Sequence, residues 1–228
     1  MIHVPPNSPI VVLAFLGAAL VVAAGSAGTL FGVLSKRYRF AVGSACVAAA
    51  VGGAYALVWA GALFAMPERV LAQGEAKYFC EIDCHLAYSV ARVERMASLG
   101  AGGPAPSSDS FLVVTVKTWF DPSTISPRRP LGATLKPNPR DVFLRTSDGT
   151  RYHPILGGAA ALAAAGRSNT PMTEPLRPGE SYETILVFDA PPGAPEPRLF
   201  VGNIPAESAF LIGHESAPPA RKAWFSLR

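Results

Sequence analysis

Two cysteines and a histidine carry most of the chemistry this sequence offers. They stand in the stretch Tyr78-Phe79-Cys80-Glu81-Ile82-Asp83-Cys84-His85, where three residues separate the thiols and the imidazole follows the second one directly. Thiolates and imidazole are soft ligands suited to copper, and the same groups tether and ligate haem. The thiols can instead close on each other. The third cysteine, Cys46, lies inside a long apolar run, so the count outside that run is even, which favours a Cys80–Cys84 disulfide if the stretch faces an oxidising compartment. A bridge over so short a loop adds little stability and serves to pin a turn. Glu81 and Asp83 read as solvated flank.

The chain contains no Gly-rich phosphate loop, G-x-S-x-G elbow or H-E-x-x-H pair. The remaining histidines are His3, His153 and His214, and the last two read as surface or turn residues. A fold that brought His214 or Met96 beside Cys80, Cys84 and His85 would complete a metal site. The pattern is therefore read as non-enzymatic.

The element that positions the stretch is an anchor. Neither residues 9–34 nor residues 40–65 include an Asp, Glu, Lys or Arg. Each run exceeds the ~20 residues a helix needs to cross a ~30 Å hydrocarbon core, which predicts a transmembrane hairpin over residues 1–66 with helices at about 9–34 and 40–65. Residues 1–8 lack the cations of a cleaved signal. The link Ser35-Lys36-Arg37-Tyr38-Arg39 carries three cations, which places it in the cytoplasm. Both termini and everything after Met66 then face outward, into the periplasm if the membrane is a bacterial inner one. The formal charge is +4, from 20 basic and 16 acidic residues, and without the three loop cations the balance is 17 to 16. No nucleic-acid footprint is present.

Small residues mark both helices. Gly25, Gly28 and Gly32 fall on or near one face of the first, and Ala48, Gly52, Ala56 and Ala60 recur every four residues in the second. At this spacing they let helix backbones approach, within the hairpin or against an integral membrane partner. No charge inside either span points to an ion path. Cys46 reads as a small buried packing residue, and Tyr55 and Trp59 as an interfacial belt.

Residues 67–85 read as a polar juxtamembrane segment and residues 86–228 as an all-β domain. The strongest strand is Phe111-Leu112-Val113-Val114-Thr115-Val116-Lys117-Thr118-Trp119-Phe120, rich in β-branched and aromatic residues. Ser147-Asp148-Gly149-Thr150 is a hairpin signal, residues 157–166 allow one short helix, and Ala209-Phe210-Leu211-Ile212 reads as a late strand. Seven to eight short strands with turns between them predict an immunoglobulin-like sandwich.

Three resemblances follow from these residues. Asp148-Gly149, Leu176-Arg177-Pro178-Gly179-Glu180 and Leu186-Val187-Phe188-Asp189-Ala190-Pro191 resemble motifs of bacterial extracytoplasmic immunoglobulin-like domains of unknown function, which implies a fold without an activity. The two-helix anchor and the Cys80/Cys84 spacing resemble the second subunit of cytochrome oxidase, whose loop holds dinuclear copper. Here His85 is adjacent to the second cysteine, Met96 is distant, and the stretch precedes the domain. The C-x-x-x-C-H order is one residue longer than the C-x-x-C-H of c-type haem attachment. The whole arrangement is similar to accessory subunits of bacterial photosynthetic or respiratory supercomplexes. The leading expectation is an accessory subunit of a larger membrane complex without a cofactor; the alternative is a copper or haem c protein using Cys80, Cys84 and His85.

Overall fold

A computed structural model of the chain describes residues 2–3, 9–79, 86–100, 103–107, 109–124, 130, 132–139, 141–202, 209–215, 217 and 222–228. The chain forms two compact units. One comprises Asn7–Pro67 with Pro205–Arg221, the other Met1–Pro6, Glu68–Ile204 and Lys222–Arg228.

The first unit is built on two long apolar helices, α1 (Pro9–Leu34) and α2 (Tyr38–Ala65). Proline at the first position of α1 has no amide to leave unpaired. The Arg37 amide donates to the Gly32 carbonyl at 2.7 Å, closing α1 and letting α2 start at Tyr38, two residues earlier than the cation cluster suggests. Hydroxyls within α1 satisfy themselves on the preceding turn, as Thr29 does on the Gly25 carbonyl at 2.7 Å. Pro67 has no amide to continue α2, and Met66 is already extended.

The second unit is rich in β-sheet. Its strands are β1 (Ile2–His3), β2 (Arg69–Leu71), β3 (Lys77–Phe79), β4 (Leu86–Met96), β5 (Phe111–Phe120), β6 (Asp141–Arg145), β7 (Arg151–Tyr152), β8 (Ser181–Phe188), β9 (Arg198–Gly202) and β10 (Ala223–Ser226). They make two five-stranded sheets, ordered β1-β3-β4-β5-β8 and β2-β10-β9-β6-β7. Pairing is antiparallel apart from β1 with β3 and β2 with β10. Val90, Val114, Val116 and Phe188 from one sheet share a core with Leu71, Leu144, Leu199 and Phe225 from the other. Alternate residues of β5, Phe111 and Val113, face away and are covered by Leu162 of a short helix, α3 (Gly158–Ala164). Both faces of β5 are thus buried from Phe111 to Val116, as the apolar run there requires, while Lys117 is exposed.

Two expectations need correction. The 67–85 segment is not wholly juxtamembrane: β2 and β3 are paired strands of the sheets. The turn between them covers a bulge in β4, where Gly74 and Gln73 donate to the carbonyls of Val90 and Ala91 at 2.9 and 2.7 Å. Residues 209–212 are a tight turn rather than a strand, and they pack in the helical unit.

Candidate functional site

Cys80, Cys84 and His85 lie outside the described residues, but their flanks are defined. β3 ends at Phe79 and β4 begins at Leu86, and these two residues are register partners. The six residues 80–85 therefore join two adjacent antiparallel strands, whose partner Cα atoms stand ~4.5–5.5 Å apart. Met96 is at the opposite end of β4, ten residues or ~34 Å away along an extended strand, so it cannot complete a ligand set with Cys84 and His85. Its sulfur accepts from Arg167 at 3.6 Å. His153 rests against the Phe143 ring, and His214 is buried in the helical unit. Among the described residues no cluster of three His, Cys, Asp or Glu side chains could hold a metal.

The strand leading into the cysteines holds what sequence reasoning missed. Lys77 is fully buried. Its ammonium donates to the carbonyls of Val201 at 2.8 Å and Ala223 at 3.3 Å, and lies 5.0 and 4.5 Å from the ring centroids of Phe79 and Phe200. β9 and β10 are paired at Leu199–Phe225 and Arg198–Ser226. Beyond that they part, and the lysine bridges them where residues 203–221 leave and return. Three donors on a flexible stem suit this clasp, and two aromatic faces offset the lost hydration. A charged residue in a three-residue strand carries no sequence signal for burial.

Neighbouring Tyr78 faces the other way. Its hydroxyl donates to Asp121 at 2.8 Å, while Asp121 accepts from the Ser123 amide and hydroxyl at 2.9 and 2.6 Å. Burial, then the Asp121 hydrogen bond and charge, push the Tyr78 pKa up to about 12. On the core face, register aligns Lys77, Tyr88, Thr118 and Tyr182 in one polar row. Tyr182 donates to the Met172 carbonyl at 2.9 Å, and burial lifts its pKa to about 12. Burial also raises that of Tyr88. Phenols held this far above neutrality stay protonated at pH 7 and offer no base.

On the sheet unit, a cavity of about 210 Å³ is lined by Glu68, Arg145, Thr146, Ser147, Arg198 and Trp224. Arg198 is ion-paired to Glu68 and Arg145 stands 5.7 Å from the Trp224 ring centroid, so its cations are already engaged.

In the helical unit the small residues are used unequally. A β-carbon at Gly25 would stand 2.8 Å from that of Ala48, one at Gly28 2.9 Å from the Ser44 hydroxyl, and one at Gly32 2.8 Å from the Ala41 nitrogen. Gly52 is looser, 3.3 Å from Val22. Ala60 is half-buried and Ala56 exposed. Cys46 is exposed on α2, against the expectation of a buried packing residue, because it points away from the seam with α1. An apolar groove of about 590 Å³ runs along the hairpin, lined by Val21, Ala24, Gly25, Phe40, Gly43, Ser44 and Val47 with Arg39.

No family model and no curated protein matches the sequence. Among solved structures, a conserved hypothetical protein from Bacillus anthracis is 19% identical over 54% of this chain and 89% of its own, with a TM-score of 0.39. A secreted protein from Mycobacterium tuberculosis is 13% identical over 61% of this chain and 92% of its own, with a TM-score of 0.37.

Proposed function

We propose that this protein is a non-enzymatic accessory subunit of a larger integral membrane complex, anchored by α1 and α2 across a bacterial inner membrane with its sheet unit in the periplasm. The observation that carries the reading is the anchor. Two helices of spanning length, charge-free apart from Arg39 in the first turn of α2, close on each other through Gly25, Gly28 and Gly32, and leave beside that seam an apolar groove floored by small residues. In a lipid setting, small-residue surfaces gain from close packing against another helix rather than from burial as such.

We read the sheet unit as an immunoglobulin-like sandwich. Support comes from the pairing of β5 with β8 in one sheet and of β6 with β9 and β9 with β10 in the other, equivalent to the B–E, C–F and F–G pairs of that fold.

The test is purification from the native membrane in mild detergent. Defined partners are expected to co-purify. Gly43 lines the groove and a β-carbon there meets nothing within 4 Å, so Gly43→Leu adds bulk at the groove without a clash at its β-carbon. That variant is expected to lose the partner, whereas Gly53→Leu, also in open space, keeps it. A chain that runs alone at every detergent concentration overturns the proposal.

A further inference from the structure

We propose that residues 209–215 form a loop that inserts into the outer boundary of the bilayer, with the Phe210 side chain among the lipid acyl chains; this rests on the membrane reading above. The loop interrupts the β9–β10 connection and packs within the helical unit. The Trp59 indole donates to the Ala209 carbonyl at 3.1 Å, and the Tyr55 hydroxyl to the Phe210 carbonyl at 2.8 Å. The Phe210 ring lies nearly parallel to that of Phe15, 8° apart in plane and 6.4 Å between centroids. Beyond Phe210 the chain turns, with the His214 amide donating to the Leu211 carbonyl, and comes back to Ala217, which is buried with Leu63 and Trp59. The path descends α2 from the level of Trp59 to that of Tyr55 and returns towards Leu63.

Depth follows from helix rise. Arg39 is the last cation at the inner end of α2. Counting ~1.5 Å per residue, Trp59 stands ~30 Å above it and Tyr55 ~24 Å; on α1, Phe15 stands ~28 Å from Leu34. The hydrocarbon core is ~30 Å thick, so both helices place Phe210 at or just inside its outer edge. Irregular backbone at that depth needs its carbonyls satisfied. Tyr55 and Trp59 supply those donors, which gives the aromatic belt a second task. Phe210 is 59% exposed, and at this level the medium around it is lipid.

The test places p-benzoylphenylalanine at Phe210 of the full chain, with Leu20 (70% exposed, mid-α1) and Leu156 (99% exposed, sheet unit) as comparison sites. Each protein is reconstituted in phosphatidylethanolamine–phosphatidylglycerol vesicles, irradiated and examined by mass spectrometry. Acyl-chain adducts are expected at Leu20 and Phe210 and not at Leu156. Adducts at Leu20 without any at Phe210 overturn the loop proposal while leaving the anchor intact. Adducts at neither overturn the membrane reading and the loop together. Attachment of Phe210 to a polypeptide overturns lipid as its neighbour.

Discussion

Tyr78 and Tyr88 sit on adjacent strands and are both enclosed, at 0% and 1% exposure, yet their hydroxyls have opposite circumstances. Tyr78 donates to the Asp121 carboxylate. Tyr88 has no hydrogen-bond partner for its hydroxyl among the described residues. A hydrogen bond to a charged group contributes about 1.5–3 kcal/mol, whereas an unpaired buried hydroxyl only retains its desolvation cost. Tyr78→Phe is therefore expected to destabilise the sheet unit by about 1.5–3 kcal/mol at pH 7, and Tyr88→Phe to leave stability unchanged or raise it by about 1 kcal/mol. Denaturant unfolding separates the two, and a loss in Tyr88→Phe equal to that in Tyr78→Phe contradicts the assignment. The pH dependence has a definite sign. Because the folded pKa of Tyr78 is raised from 10.0 to about 12, its contribution is complete below pH 10 and disappears as pH climbs through 12. Tyr78→Phe should lack that share of the alkaline loss. A second residue-level expectation concerns the thiols. On an oxidising face, with the strands on either side of residues 80–85 held in register at Phe79 and Leu86, Cys80 and Cys84 are expected to be bridged. Denatured, unreduced protein should then take one alkylating group, on Cys46, and three after reduction. Three before reduction removes the disulfide, and a Soret or thiolate–copper band from native membrane makes the two cysteines and His85 ligands.

At the scale of elements, the hairpin seam makes a sharp prediction. A β-carbon at Gly32 would meet the Ala41 nitrogen, Cα and Cβ at 2.8 to 2.9 Å, and backbone cannot swing aside. Gly32→Leu should cost about 1–3 kcal/mol through overpacking and part the helices at their connected end. Gly61→Leu meets open space and should gain from helix propensity instead. Thermal loss of helical circular dichroism in detergent measures both; equal melting of the two variants contradicts the seam. The elements also differ in how far sequence reveals them. α1, α2 and β5 are legible because each is specified by its own residues, an uninterrupted apolar run or a β-branched one. β2 and β3 are not, since three-residue strands take their structure from partners, and β2 pairs with β10 about 150 residues later. Lys77 is hidden for the same reason: its burial is set by the carbonyls of Val201 and Ala223. Residues 209–212 read as a strand because Phe210, Leu211 and Ile212 are apolar and consecutive, a pattern that equally suits a turn packed on apolar helices. Of the candidate site, the spacing of Cys80, Cys84 and His85 was visible in the sequence, as was their position after the anchor. Their place between two paired strands was not.

At the scale of the molecule, the chain leaves the sheet unit for the helical one twice, through residues 7–67 and 205–221, and comes back each time. The first excursion begins just after β1 and ends just before β2. β1 pairs with β3, with Ile2 opposite Lys77 and His3 opposite Tyr78, so the segments before α1 and after α2 belong to one sheet. A sheet cannot be shared across a bilayer, which would demand unpaired strand edges in hydrocarbon. On the proposed membrane reading, both ends of the hairpin then lie on one side, as an even number of spans requires. On the same reading, Lys36, Arg37 and Arg39 at the opposite end select the cytoplasm for that loop. The pairing and the charge rule are independent, and together they predict the reactivity of two engineered thiols in intact cells. An impermeant maleimide should label Asp148→Cys, in the exposed β6–β7 turn where Gly149 holds φ 91°, without permeabilisation. Lys36→Cys should react only after the membrane is opened. The reverse pattern inverts the orientation, and labelling of both in intact cells denies the span. Replacing all three loop cations by Glu should scramble the pattern in a chain that still folds, because the sheet pairing keeps the hairpin ends together while the charge bias that orients them is gone.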